Sequence, residues 1–358
     1  MPDGRDERSE IAAAAAELRE AAAGRRLSYM EVCGTHTMAI ARHGLRQLLP
    51  PGVRLVSGPG CPVCVTAIGD LDKAVALARI PGVTLATFGD LMRVPASRTT
   101  LAQERAAGAD VRVVYSALDA VDLAVALPDR QVVFIGIGFE TTAPTVAAAL
   151  LTAREKRVPN FSVLSLHKTM PAPLRALLDA GETPLDGFIL PGHVSVIVGP
   201  SAFTFLAAEY GVGGVIAGFE ADDVMRALVA LARMREPAIE NGYPRAVRPE
   251  GNVAAQRILA EVFVPCSAEW RGLGEIPGSG LALAPGFAEF DAQQRFAIDP
   301  GEPVEPAGCR CGEVLRGLIA PHECGLFGHR CTPEAPVGAC MVSGEGACAA
   351  HFRFRDIS

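Results

Sequence analysis

Ten cysteines stand in this 358-residue chain, and three of them carry chemical promise in their immediate neighbours. Cys61 and Cys64 form a C-x-x-C within "SGPGCPVCVT", with Pro62 between them and Gly58 and Gly60 ahead. Such a pair can hold a metal, exchange a disulfide, or be two buried thiols. The glycines permit a tight turn, which is expected to place Cys64 in the first turn of a helix containing "VTAIGDLDKAV". Exposed N–H groups there favour a thiolate and lower its pKa. A structural zinc site would want a second pair nearby, and this part of the chain has none. The expectation is a redox dithiol. Cys33, in "EVCGTH", is followed by Gly34 and then by His36. An isolated cysteine is usually a small buried hydrophobe, but this setting reads as a functional thiol.

Six more cysteines crowd into the last 50 residues with the spacing C-x-C-x12-C-x6-C-x8-C-x7-C: Cys309, Cys311, Cys324, Cys331, Cys340 and Cys348. Paired C-x-x-C zinc knuckles are missing from this field. Its Gly- and Pro-rich spacing suits a loop wrapped round an iron–sulfur cluster, which takes four thiolates. Two thiols are then surplus and could form a disulfide able to pass electrons between cluster and dithiol.

These residues need a scaffold. Short apolar, β-branched runs recur between residues 27 and 218, beginning "LSYMEV", "VRLVSG", "VTLATF" and "VRVVYS" and continuing "QVVFIGIG", "FSVLSLH", "GFILPG" and "GGVIAG". Helical segments separate them, so parallel sheets covered on both faces are expected. Two similar Rossmann-like α/β units are expected, with a single eight-stranded barrel as the rival. The division reads as an N-terminal helix over 1–27, one α/β unit over 28–130, a second over 131–235, and a smaller cysteine-rich iron–sulfur domain over 236–358.

Ligands of open α/β sheets bind beyond the carboxyl ends of the strands, and polar residues fall there repeatedly. Cys33 and His36 follow the first run, Cys61 and Cys64 the second, and Asp90 and Arg93 the third. Glu140 follows the fifth, His167 and Lys168 the sixth, His193 the seventh and Glu220 the eighth. Simpler readings exist for each. His36 could cap a helix, His193 could be a core histidine, and Asp90 with Arg93 could be one ion pair. Glu140 could be a carboxylate favoured by a helix dipole.

Bulk properties exclude other classes. Apolar residues make up 49% of the chain and charged residues 20%, a globular composition, and the net charge of −7 offers no phosphate-tracking surface for a nucleic acid. The most apolar stretch, "GFILPGHVSVIVGPSAFTFLAA", is broken by Pro191, His193 and Pro200, so no membrane span is expected. The charged N-terminus lacks a secretory signal, which favours the cytoplasm, where thiols stay reduced. A P-loop, a dinucleotide fingerprint placed after its strand, and a G-x-S-x-G elbow are all missing.

Taken together, "EVCGTHTMAI", "GPGCPVCVT", "FGDLMRVPAS", "GFETTAPT", "LHKTMPAP", "LPGHVSVIVG" and the cysteine field resemble the HypD family of [NiFe]-hydrogenase maturation factors. The resemblance runs in order from about residue 28; Gly242, Gly325 and Gly344 depart from the family's pattern without touching a cysteine. It implies two α/β domains and a [4Fe-4S] domain, working with a small HypC-type chaperone and with HypE. Together these build the Fe(CN)2CO unit of the hydrogenase. On this chain, the resemblance makes Cys33 the iron ligand, with His36 beside it, and Cys61 with Cys64 the redox dithiol. By analogy with ferredoxin:thioredoxin reductase, Cys309, Cys324, Cys331 and Cys348 would hold the cluster, and Cys311 with Cys340 would form a disulfide. Glu140 and His193 join the site through the family's GFETT and PGHVS motifs. Two rivals are a cluster-fed thiol–disulfide oxidoreductase, which leaves Cys33 without a role, and a passive scaffold, which needs no dithiol.

Overall fold

The computed structural model describes residues 4–355. All eight expected strands form: β1 (Leu27–Glu31), β2 (Val53–Ser57), β3 (Val83–Thr87), β4 (Val111–Val113), β5 (Gln131–Gly136), β6 (Phe161–Ser165), β7 (Gly187–Pro191) and β8 (Gly213–Ala217). β3, β7 and β8 are buried at every position. That fits central strands of parallel sheets, which are covered on both faces and rich in apolar residues. Three further strands follow: β9 (Ile239–Asn241), β10 (Phe263–Trp270) and β11 (Gly274–Leu283).

Strand pairing departs from the contiguous division at residue 130. One parallel sheet has the order β2-β1-β7-β8-β9 and the other β4-β3-β5-β6. The first sheet therefore takes strands from both sides of the second, which is an insertion between β2 and β7. The 130/131 boundary falls between β4 and β5, inside the inserted sheet. An eight-stranded barrel is not formed. Counted along its own strands, each sheet follows the same order, 2-1-3-4, with β9 added as a fifth strand to the first. This is the flavodoxin-like order, whose ligands sit where the order reverses. The reversal lies between β1 and β7 in one sheet and between β3 and β5 in the other.

Side chains alternate between faces along each strand. Leu27 and Tyr29 of β1 join the core beneath helix α1 (Gly4–Ala22), where Leu18 is fully buried. Met30 and Val32 point the other way, into a core shared with Val133 and Ile135 of β5. Val132 and Phe134 face a third core on the far side of the inserted sheet. The C-terminal region does not stand apart as a separate body. β9 completes the first sheet, while the antiparallel β10–β11 pair packs against β6 and helix Pro171–Ala180. Cys311, Cys331, Cys340 and Cys348 are buried in the same core as Cys61 and Cys64. Among the described residues no helix is long and apolar enough to cross a membrane.

Candidate functional site

Cys33 sits at the reversal point of the first sheet, immediately after β1. It precedes helix α2 (Gly34–Arg42) with extended backbone, φ −147° and ψ 125°, and is 7% exposed. Two residues earlier, Glu31 ends β1 as a fully buried carboxyl. Its Oε2 accepts the Cys33 N–H at 3.2 Å and its Oε1 accepts the Thr37 hydroxyl at 2.6 Å. Burial pushes Glu31 up to about 7, against the pull of these bonds and of Arg46. Burial likewise pushes the Cys33 thiol up to about 12, although the Thr35 and His36 N–H groups favour its thiolate. The free thiol is therefore protonated and quiet.

The GPGC loop closes one side of Cys33. The Gly34 N–H donates to the Gly60 carbonyl at 3.0 Å, and a Cβ on Gly60 would overlap the Cys33 backbone. Only glycine fits there.

His36 lies inside α2 and is fully buried, so it is not a cap. Its Nε2 bonds the Gly218 carbonyl at 2.8 Å, so Nε2 carries the proton and Nδ1 is a bare lone pair without a partner. Desolvation holds His36 down to about 4, and burial also lowers His193. His193, following β7, stacks on Phe219 at 3.8 Å, and His36 lies 5.1 Å from the same ring. His36 and His193 thus meet on one aromatic side chain, and the His36 backbone N–H reaches back to the Cys33 sulfur at the strand-order reversal.

Cys61 and Cys64 are joined as a disulfide with their Cα atoms 5.2 Å apart. Their local structure differs from the expected long helix. Helix α3 is only Pro62–Val65, and helix α4 (Ile68–Ala78) starts afresh because Thr66 and Ala67 are extended. Thr66 instead bridges to Trp270, and the Arg271 N–H donates to the Val65 carbonyl at 2.8 Å. Cys61 Sγ accepts the Cys64 N–H at 3.2 Å. The bonded sulfurs do not titrate, so the expected low-pKa thiolate belongs only to a reduced form.

Glu140 does not fit the simpler reading of a carboxylate favoured by a helix dipole. It lies ahead of helix Ala143–Glu155, buried, with Oε1 accepting the Met170 N–H at 2.9 Å and Oε2 unpartnered. Desolvation raises it to about 7, the opposite of a dipole-stabilised carboxylate. It stands at the reversal point of the inserted sheet and does not join the Cys33 group. Trp270 links the loop of Glu140 to the segment that follows the disulfide, through Phe139 and Thr66. Phe139 stacks on it at 6.0 Å, the buried Lys168 ammonium lies 5.7 Å from its ring, and its Nε1–H donates to Ser279 Oγ at 2.8 Å. Arg93 donates to the Pro333 carbonyl, with no ion pair to Asp90 among the described residues.

Five of the six C-terminal cysteines, Cys309, Cys311, Cys324, Cys331 and Cys348, line one cavity with Val314, Leu326, Phe327 and Met341. Cys340 lies behind it, fully buried, within bonding reach of Cys311 and Cys348. Gly338 borders the cavity; a Cβ there would fall 2.5 Å from Cys309 Sγ and 2.6 Å from Cys311 Sγ. The six thiols are unbonded, and among the described residues no group of three or more His, Cys, Asp or Glu is placed to hold a metal ion. Cys311 lies at the middle of the field, within hydrogen-bonding reach of Cys309, Cys340 and Cys348. The 339–341 turn carrying Cys340 packs against α3, which places the cysteine field beside the Cys61–Cys64 disulfide.

Comparison with known proteins decides the family. The HypD model, described as "Hydrogenase formation hypA family", matches residues 9–355. The chain belongs to the HypD family. Hydrogenase maturation factor HypD of Rhizobium leguminosarum bv. viciae is 49% identical over 343 residues, covering 92% of this chain and 89% of the relative. The HypD proteins of Cupriavidus necator and Escherichia coli K12 are each 47% identical, covering 96% and 93% of this chain and 94% and 90% of their own. Glu31 beside Cys33 and Trp270 beside the disulfide loop stand out only from the structure. The one signal for Glu31 was a carboxylate ending an otherwise apolar strand.

Proposed function

We propose that this HypD-family hydrogenase maturation factor is the thiol scaffold on which the Fe(CN)2CO unit of a [NiFe]-hydrogenase is assembled, with a HypC-type chaperone and HypE as partners. The observation that carries this reading is the placement of Cys33 at a strand-order reversal, with a disulfide in the adjoining loop. The iron is cargo. Cys33 would hold it together with a thiol of the small chaperone, and soft thiolate ligation suits an iron that carries cyanide and carbonyl. The Thr35 and His36 N–H groups beside the Cys33 sulfur stabilise the thiolate that iron binding requires. His36 and His193 line the same place, and burial favours their neutral rings, which do not repel a cation.

The Cys61–Cys64 pair supplies the redox step. Reduced, it holds two electrons and two protons. Oxidation to the disulfide reduces a thiocyanate borne by the partner: the S–C bond breaks, the partner's sulfur takes up one of the two dithiol protons to become a thiol, and cyanide leaves with release of the other. The disulfide must then be reduced again. The cysteine cavity fits an iron–sulfur group, because it has more than four thiol donors, apolar walls and a glycine where a side chain would intrude. Cys309, Cys324, Cys331 and Cys348 would hold a [4Fe-4S] cluster, which when bound supplies electrons one at a time. Cys311 would then pair with the cavity's outlier, Cys340. The redox thiols are consistent with work in the cytoplasm.

Infrared spectroscopy of the anaerobically purified complex with the small chaperone tests the reading. Cyanide and carbonyl bands are expected, and Cys33→Ala should abolish them while leaving the protein folded. Bands of unchanged intensity in Cys33→Ala would overturn the assignment.

A further inference from the structure

The cover over Cys33 has two unequal sides. On one, backbone meets backbone: Gly60 lies against Cys33 and is bonded to Gly34. That side cannot open without dismantling the strand ends. On the other, an exposed residue from the far end of the chain supplies the contact. Glu345 packs so closely that a Cβ on Gly34 would fall 2.5 Å from its own Cβ, and its Oε1 accepts the Thr35 hydroxyl at 3.0 Å. The turn that presents it is short and internally bonded, with the Glu345 N–H donating to Ser343 Oγ at 3.2 Å and the Gly346 N–H to the Ser343 carbonyl at 3.0 Å. Cys340 and Cys348 bracket the turn in sequence, and helix Ala347–Arg353 behind it packs on α2.

We propose that Glu345 is a positioning residue: its contact with Gly34 and Thr35 holds the Cys33 loop shut, and iron or a partner's thiol reaches Cys33 only when the 343–346 turn swings away. This rests on the reading of Cys33 as the iron-holding thiol. Glu345 holds the Cys33 loop through one exposed side chain and one hydroxyl hydrogen bond, a contact that costs little to release compared with unfolding. The same carboxylate also acts on His193 across the site, so its departure changes both sides of the entrance together.

Alkylation of Cys33 by iodoacetamide, followed by peptide mass spectrometry on the anaerobic full-length protein, reads the cover directly and needs neither iron nor partner. Cys266, a free and half-buried thiol on β10, serves as an internal control in the same sample. Glu345→Ala should speed Cys33 alkylation about five- to tenfold, as expected for loss of one hydrogen bond from the closed form. Thr35→Val should do the same from the opposite side. Glu345→Gln keeps the acceptor and the bulk, so it should react like the unaltered protein. An unchanged Cys33 rate in Glu345→Ala overturns the proposal, as does equal acceleration of Cys33 and Cys266, which would signal general loosening. Acceleration in Glu345→Gln matching that in Glu345→Ala also overturns it, since charge would then be the cause. If the infrared bands above prove independent of Cys33 while alkylation behaves as stated, the scaffold reading fails and the cover stands.

Discussion

Gly338→Ala separates the cysteine cavity's role as a cradle from its role in stability. A methyl at position 338 would lie 2.5 Å from Cys309 Sγ and 2.6 Å from Cys311 Sγ. Non-bonded heavy atoms settle at about 3.5–4.0 Å, so each sulfur must retreat by about 1 Å. In protein freed of iron this is cheap, because a thiol retreats by rotating about one bond at a cost of about 1 kcal/mol. The expected loss in Tm is only about 2–4 °C. With a cluster bound the same retreat is ruinous, because metal–ligand distances tolerate only about 0.2 Å. Iron per chain after anaerobic reconstitution should therefore fall by more than half in Gly338→Ala. The Tm of the iron-free variant should stay within a few degrees of its parent. Normal iron content in the variant would refute the reasoning. So would a Tm loss above about 10 °C without iron, because Gly338 would then serve packing and not a cofactor.

Glu140 is raised from 4.5 to about 7 by burial, so its proton is held more tightly in the folded state. The stability this contributes is complete below about pH 4.5 and is lost as pH rises through 7, a change of about 3 kcal/mol. Glu140→Gln should remove its share of that dependence in urea titrations at pH 5, 7 and 8, leaving the share of Glu31, which burial also raises to about 7, and be neutral or stabilising at pH 8. A variant with the parent's pH dependence would exclude Glu140 as its source. In the cysteine field, Cys324→Ala should lose iron while Cys340→Ala keeps it and loses a disulfide detectable by mass spectrometry after oxidation. Iron loss in Cys340→Ala with retention in Cys309→Ala or Cys348→Ala would reverse the division of the six thiols.

Strands were legible because central parallel strands leave a plain signature, an apolar run with no polar face. β9, at an edge with the sequence "IEN", and β10, which contains Pro265 and alternating polar residues, lack that signature and were not anticipated. Pairing was not legible at all. Nothing in "VRLVSG" says that its sheet neighbour is β1, or that β1's other neighbour lies past residue 186. Cysteines drew notice through their spacing, which survives without a fold. Glu31 and Glu345 are ordinary carboxylates until tertiary structure buries one and lays the other on Gly34. Glu140 stands after its strand as expected, and burial, which no local pattern shows, raises its carboxyl and sets aside the simpler helix-dipole reading.

The interleaving of the two sheets sets an order of events on the ribosome. Strands β3 to β6 are contiguous, so the inserted sheet can close on itself as soon as it emerges. β1 and β2 emerge first yet must wait for β7, more than 120 residues later, before their sheet can form. Such distant pairing is slow, because loop closure must precede the contacts that reward it. During that interval Cys33, Cys61 and Cys64 belong to a hairpin-free, unsupported segment, with no burial to keep the Cys33 thiol inert. The nascent chain thus passes through a period in which its most important sulfurs are its least protected, and a reducing environment during synthesis matters more here than for a protein whose domains follow one another in line.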